Sequence, residues 1–389
     1  MTPLSATADA HEPAGCRGGQ DEPGAVTLLA SLIRGESPAV MPSTSEGADR
    51  LRLLAERQGV MPLAAERLAK LPAAPRAIVA AFDTAAKCQA AADLFREVEL
   101  RHLLVAFAEA GVRAIVMKGA QLAYSHYPRP DLRPRLDTDF LVAADGRRAA
   151  EQRLLDLGYD AVPQVTGDLV MYQAIYVRRR AGVPVHVVDL HWRLANPQRF
   201  GSVLTCEDLF ESAVRIPTLA ESAEGLSNAH ALLVACIHPV AHHAHAPRLI
   251  WHYDIHLVAS RLTPAEWTAF AAQATDRGVG SVCRRSLELA VYWFGTSVPD
   301  HVFSQLSVPT ARDAATAAYL SPSRRQIDDA VWDFQTLSSW GARWRLVCQH
   351  LFPPPRYMRD VYAPLSHAPL LVLYAKRVFL GARRWFART

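Results

Sequence analysis

The amino-acid sequence predicts an α+β fold in which a small mixed β-sheet is flanked by mostly helical regions. Over residues 26–111, apolar residues recur at intervals of three and four, which is the spacing of amphipathic helices. Over residues 112–196 this spacing gives way to short apolar runs bounded by glycine and proline, which is typical of strands. The helical spacing then returns over residues 197–389. We therefore expect two helical regions with a core sheet between them.

Four runs in the central region predict the strands of this sheet. The first is RAIVM, residues 113–117, and the second begins at Leu136 and includes DFLVA. The last two, MYQAIYVRR and VPVHVVDLHWRL, are separated by Ala181-Gly182, which predicts a hairpin. AQLAYSHY predicts a short helix after the first strand, and GRRAAEQRLLDLG predicts a helix that ends at Gly158.

Composition and charge indicate a soluble, cytoplasmic protein. The net charge is only +4 over 389 residues, and no Lys/Arg tract with interleaved aromatic residues occurs, so nucleic-acid binding is not indicated. The six cysteines lie far apart without a CxxC pair, which fits a reducing compartment. Residues 1–25 lack the basic start and apolar core of a signal peptide and predict a disordered leader. The late apolar run at 368–375 is too short to span a bilayer.

Two aspartates stand directly before the apolar end of the second strand. Residues two apart on a strand face the same side, so Asp137 and Asp139 should project together. Asp189 lies in a similar apolar run, VHVVDLHW, and would join them if the two strands are neighbours. Buried carboxylates repel one another unless a cation neutralises them, and oxygen ligands suit Mg²⁺. The three acids are enough for two metal ions, which is the usual machinery of phosphoryl or nucleotidyl transfer.

Simpler interpretations of the same residues stay open. A DxD pair also occurs where a strand edge caps a turn, and Asp189 could be paired with an arginine. If the pair is an uncompensated cluster, changing Asp137 or Asp139 to asparagine should leave stability unchanged or raise it, because a repulsive charge is removed. Lys118 and Gly119, which follow the first strand, favour the metal site: a glycine lets backbone amides approach a phosphate, and a helix N-terminus attracts anions.

The combination of KGAQLAYSHYPRPDLRPRLDTDFLV with VVDLHWRL resembles a bacterial family of uncharacterised nucleotidyltransferases within the DNA polymerase beta-like superfamily. The resemblance covers roughly residues 80–300. It implies that Asp137, Asp139 and Asp189 are the metal ligands and that Gly119 is the turn glycine. Two Mg²⁺ ions and an NTP, with ATP as the expected nucleotide, are the implied cofactor and co-substrate.

The chain departs from the superfamily pattern at the glycine turn. Where the superfamily usually has Gly-Ser, this sequence has Lys118-Gly119-Ala120, so no hydroxyl is offered to the triphosphate there. Lys118, Arg133 and Arg135 could supply the missing phosphate contacts. Arg133 stands where the family pattern has an arginine four residues before the first aspartate.

Histidines are concentrated after residue 237. His238 and His242 share a helix face, but HExxH and His-Asp motifs are absent, and packing of the helices onto the sheet is an equally simple role for these side chains. The resemblance includes this helix and the WHYDI segment, so it leaves a substrate-side role for His242 or Asp254 open. His191 should share a face with Asp189, where it would orient an aspartate or substrate, or fill a polar pocket.

The residues together predict a Mg²⁺-dependent nucleotidyltransferase that moves a nucleotide from an NTP to a hydroxyl or phosphate acceptor, which is a small molecule, peptide or protein. The alternative is a non-catalytic accessory or binding protein with the same fold. The C-terminal run PLLVLYAKRVFLGARRWFART predicts a basic amphipathic helix, which would pack on earlier helices or dock on a membrane surface or a partner.

Overall fold

A computed structural model describes residues 23–385 of the protein, except Thr166, 244–247, Pro309 and 363–366. The first 22 residues, which include most of the expected leader, lie outside the described residues. Four helices form the N-terminal region: α1 (Pro23–Arg34), α2 (Ser45–Arg57), α3 (Met61–Ala69) and α4 (Arg76–Glu109). The Thr44 side chain accepts a hydrogen bond from the Gly47 amide and so caps the start of α2.

The expected mixed sheet is present, and the α+β class is confirmed. Its strands are β1 (Ala114–Met117), β2 (Asp137–Val142), β3 (Tyr159–Ala161), β4 (Gln173–Arg180), β5 (Val183–His191), β6 (Val214–Arg215) and β7 (Glu224–Gly225). Their order across the sheet is β3-β4-β5-β2-β1-β7-β6. The β2–β5 and β1–β7 pairs are parallel, and the other pairs are antiparallel. Strands β6 and β7 lie after residue 196, where helices alone were expected.

The sheet has two differently covered faces. Val116, Phe140 and Val142 pack toward α4, where the Phe107 and Phe140 rings meet edge to face at 5.2 Å. Ile115 and Leu141 point the other way and join the core of the C-terminal helices. Because side chains alternate along a strand, Asp137 and Asp139 share the face of Leu141. The carboxylates therefore face the C-terminal helices.

Fourteen further helices are described. Four lie between strands along the chain: α5 (Lys118–Ser125), α6 (Arg147–Asp156), α7 (Gln198–Gly201) and α8 (Cys206–Glu211). The others follow the last strand: α9 (Asn228–His242), α10 (Leu249–Ala259), α11 (Pro264–Asp276), α12 (Gly280–Phe294), α13 (Asp300–Leu306), α14 (Ala311–Ala317), α15 (Gln326–Thr336), α16 (Trp340–Leu351), α17 (Pro355–Val361) and α18 (Leu370–Trp385). Among the described helices, none combines the length and apolarity needed to cross a bilayer. Single-turn 3₁₀ helices occur at Pro130–Leu132 and at Ala318–Leu320.

The hairpin between β4 and β5 has a left-handed turn. Ala181 has φ 48° and Gly182 has φ 81°, which is the backbone of a type I′ turn and matches the twist of the flanking strands. The turn pairs the adjoining ends of the two strands, and an irregularity between Arg178 and Arg179 then shifts the register in which β5 carries Asp189. An alanine in the left-handed region costs about 1 kcal/mol, whereas asparagine tolerates it.

We expect Ala181→Asn to raise the free energy of unfolding by about 0.5 kcal/mol, because asparagine relieves the turn without making the unfolded chain more flexible. Urea denaturation measures the change. Ala108→Asn, at an exposed position of α4, is the matched control and should lower the same quantity by a similar amount, since asparagine is a poorer helix former. A loss of stability in both variants would contradict the turn geometry.

Candidate active site

The pairing of β2 with β5 brings acidic side chains together. Asp139 is the register partner of Asp189 in this parallel pair. One donor atom each from Asp139, Asp189 and His191 lies within 4.8 Å of the others, and all three residues are buried. Three buried donors at this separation can hold a metal ion. The neighbouring strands expected from the sequence are present, and His191 adds an imidazole to the acids.

Lys118 brings a positive charge to the same point. The antiparallel register places Met117 opposite Asp139, so the next residue, Lys118, begins α5 at the end of the strand pair. Its backbone is left-handed, with φ 52°, although it is not glycine. Lys118 Nζ donates to Asp139 Oδ1 at 2.5 Å, and His191 Nε2 lies 2.9 Å from the same oxygen. Asp139 therefore has two nitrogen partners.

The two other acids have no cation bonded to them among the described residues; Asp189 Oδ2 accepts only from the neutral amide of Gln173, at 3.3 Å. Burial and repulsion from Asp139 raise the pKa of Asp137 to about 6. Burial, followed by repulsion from Asp137 and Asp139, raises the pKa of Asp189 well above its usual range. Burial would also raise the pKa of Asp139, but Lys118 and His191 hold it well below its usual range. Three acids thus share one lysine, and the remaining negative charge fits a divalent cation.

Arg133 and Asp254 form a buried pair beside these acids. Arg133 Nε and Nη2 donate to Asp254 Oδ1 and Oδ2, each at 2.8 Å, and Tyr127 Oη donates to Asp254 Oδ1 at 2.7 Å. A Cβ at Gly119 would lie 3.0 Å from the Arg133 guanidinium. The space above Gly119 thus admits this guanidinium, rather than the phosphate that we expected. Both oxygens of Asp254 are already bonded within the protein, so Asp254 positions Arg133, and its substrate-side role stays a prediction.

Arg135 does not join the site. Its Nη2 donates to Tyr124 Oη at 2.9 Å and its guanidinium lies 5.1 Å from the centre of that ring. Its charge acts on His186, whose ring bonds to Thr138 on the opposite face of β2. The regular strand begins only at Asp137, so the alternation that joins Asp137 and Asp139 does not extend back to Arg135. The expected phosphate contact from Arg135 is therefore not provided by this arrangement.

A group of histidines on α9 lies beside the acids. The ring centres of His238 and His242 are 5.5 Å apart, and His243 lies 4.4 Å from the Trp251 ring. Burial, and then the charges of Lys118 and His191, lower the pKa of His242 well below its usual range. Its Nε2 is buried and has no hydrogen-bond partner among the described residues. His242 is therefore a neutral imidazole near the acids, whereas His245 lies outside the described residues.

Residues 44–295 match the protein family described as uncharacterised nucleotidyltransferase. The match spans well over half of the chain. The protein belongs to this family. The resemblance seen in the sequence is thereby confirmed. A search of curated proteins found no match.

The part that matches the nucleotidyltransferase family contains every side chain of the candidate active site, from Lys118 on α5 to Asp254 on α10. It ends just after α12, so helices α13 to α18 lie outside it. Family membership supports a role in nucleotidyl transfer, and the buried Asp139, Asp189 and His191 are compatible with that role.

The charge pattern predicts that replacing Asp137 and replacing Asp139 by asparagine change the free energy of unfolding in opposite directions. In metal-free buffer at pH 8, we expect Asp137→Asn to raise the free energy of unfolding by about 1–2 kcal/mol. The folded-state pKa is raised, so the ionised carboxylate destabilises the fold above about pH 6. The effect disappears below about pH 4, where the carboxyl is protonated in both states.

Asp139→Asn should instead lower stability at pH 8 by about 2 kcal/mol, because Lys118 then stays buried without its closest partner. The folded-state pKa is depressed, so this contribution is present above about pH 4 and lost in more acid solution. For Asp139 this differs from the expectation from the sequence, in which both substitutions preserve or raise stability. Urea denaturation of both variants between pH 4 and 8 measures the two curves, and curves of the same sign would contradict this charge assignment.

Proposed function

We propose that the protein transfers a nucleotide from an NTP, with ATP as the expected donor, to a hydroxyl or phosphate acceptor, and that it does so with Mg²⁺. The observation that carries this proposal is the buried group of Asp139, Asp189 and His191 in a chain of the nucleotidyltransferase family. The acceptor would be a small molecule, a peptide or a protein. We place the reaction in the cytoplasm, where the described cysteines would remain the free thiols that they are here.

The donor set fits divalent ions. Asp139, Asp189 and His191 would hold one ion, and Asp137 with Asp139 would hold the second. Bound metal would supply an activated attacking oxygen and neutralise the charge that develops on the leaving pyrophosphate. Because an imidazole stands among the donors, Mn²⁺ should be accepted as well as Mg²⁺.

Two cations of the chain face the same region. When the nucleotide binds, Lys118 Nζ would leave Asp139 and donate to a phosphate oxygen instead. This change needs only a rotation of the flexible lysine side chain at the start of α5. Arg133 stays in place through its two-oxygen contact with Asp254 and adds positive charge above Gly119. These groups would orient the triphosphate.

We propose His242 as the base for the acceptor hydroxyl. Its imidazole is neutral at pH 7, and its free Nε2 can accept the proton of an acceptor hydroxyl. No other partner of that nitrogen is described, so proton transfer would break no existing hydrogen bond. Its position on α9 would let the C-terminal helices select the acceptor.

We expect a non-hydrolysable ATP analogue to bind only together with Mg²⁺ or Mn²⁺ in titration calorimetry. Asp189→Asn should abolish this metal-dependent binding of the analogue. It should also lower the rate of labelled-nucleotide transfer by at least about two orders of magnitude. Asp160→Asn, an exposed aspartate on β3 of the same sheet, is the matched control and should change neither quantity. Binding that needs no metal and survives Asp189→Asn would support the non-catalytic accessory protein instead.

A further inference from the structure

The last helix carries an apolar stripe on its outer side. In α18, Leu371 is 81% exposed and Phe379 is 75% exposed, and Val372 and Val378 are exposed with them. These positions recur at the spacing of one helix face. The inner face of the same helix is buried at Leu373 and anchored by the Tyr374 hydroxyl, which donates to the Pro353 carbonyl at 2.8 Å. Helix α18 is therefore attached to the protein with an apolar face outward.

Aromatic residues are also exposed in α16, whose His350 carbonyl accepts hydrogen bonds from the Arg377 guanidinium of α18 at 3.3 Å. Trp340 and Trp344, one turn apart in α16, are 75% and 69% exposed. Large exposed aromatic side chains at an apolar surface are unusual unless something covers them. Both helices lie outside the part of the chain that matches the nucleotidyltransferase family, so the site's own chemistry does not require these side chains.

The segment that carries this surface is strongly basic. Of the 42 basic and 38 acidic residues in the chain, nine and one, respectively, fall in residues 337–389. The rest of the chain is therefore net negative, and the small overall charge hides a positive C-terminal end. Lys376 lies 5.6 Å from the Tyr362 ring, so this cation borders the stripe without interrupting it.

We propose that the surface formed by α16 and α18 docks on an anionic lipid bilayer. Exposed leucine, valine and phenylalanine would insert among the acyl chains, tryptophans favour the headgroup level, and the surplus of arginine and lysine is attracted to acidic headgroups. The protein would then lie on the membrane surface, consistent with the finding that no described helix can span it.

Two other partners fit the charges and side chains less well. A second copy would bring two strongly positive segments together, which costs free energy through repulsion. A nucleic acid would need cations along the contact face, but the outer stripe of α18 consists of leucine, valine and phenylalanine. An acidic bilayer matches both the apolar stripe and the charge.

Co-sedimentation with vesicles tests the proposal. We expect the full-length protein to bind vesicles of mixed phosphatidylglycerol and phosphatidylcholine at least about tenfold more tightly than vesicles of phosphatidylcholine alone, and less tightly as salt is raised. Leu371→Ser with Phe379→Ser should weaken binding to the acidic vesicles by at least about tenfold, because two apolar side chains no longer insert. Thermal unfolding of the double variant should match that of the natural sequence, since both positions are exposed.

The matched control is Leu94→Ser with Val98→Ser, an exposed pair one turn apart on α4, outside the basic segment. This control should bind acidic vesicles like the natural sequence. The proposal is overturned if the α18 double variant binds as tightly as the control, or if the natural sequence does not bind acidic vesicles. Self-association that the α18 substitutions abolish, without vesicle binding, would assign the surface to a second copy instead.

Discussion

Three carboxylates buried at one end of a sheet require positive charge beside them, and Lys118 supplies it from within the chain. The contact between Lys118 Nζ and Asp139 joins the end of β1, the start of α5 and the middle of β2. It also accounts for the left-handed backbone of Lys118: a residue with a side chain is held where glycine is the usual choice. A single cation cannot neutralise three acids, so the arrangement is stable but keeps affinity for further positive charge.

The helices outside the sheet complete this site from a distance in sequence. Asp254 on α10 holds Arg133 from 121 residues away, and α9 presents His242 beside the acids. The sheet thus supplies the acidic side chains, whereas the C-terminal helices supply a carboxylate that orients Arg133 and a neutral imidazole. Burial strengthens the charged contacts, because charges interact more strongly where water is excluded.

Local pattern and strand alternation predicted much of this from the sequence. The paired aspartates, the strand around Asp189 and the turn at Ala181-Gly182 all followed from short-range rules. Strands β6 and β7 have two residues each, too few for any periodicity to show. Arg135 was offered as a phosphate contact for its charge alone, and its bond to Tyr124 is not visible in the sequence. The partners of Lys118 and Arg133 depend on tertiary packing, which brings together residues that no local spacing relates.

We expect Lys118 to contact Asp139 only until metal and nucleotide take its place. Crystals grown with Mn²⁺ and a non-hydrolysable ATP analogue test it directly, because anomalous scattering locates the manganese. We expect an anomalous peak for a manganese ion bound by Asp139 and Asp189, with Lys118 Nζ in contact with a phosphate oxygen. A structure in which the analogue is bound, no manganese lies at these carboxylates and Lys118 still contacts Asp139 would contradict it.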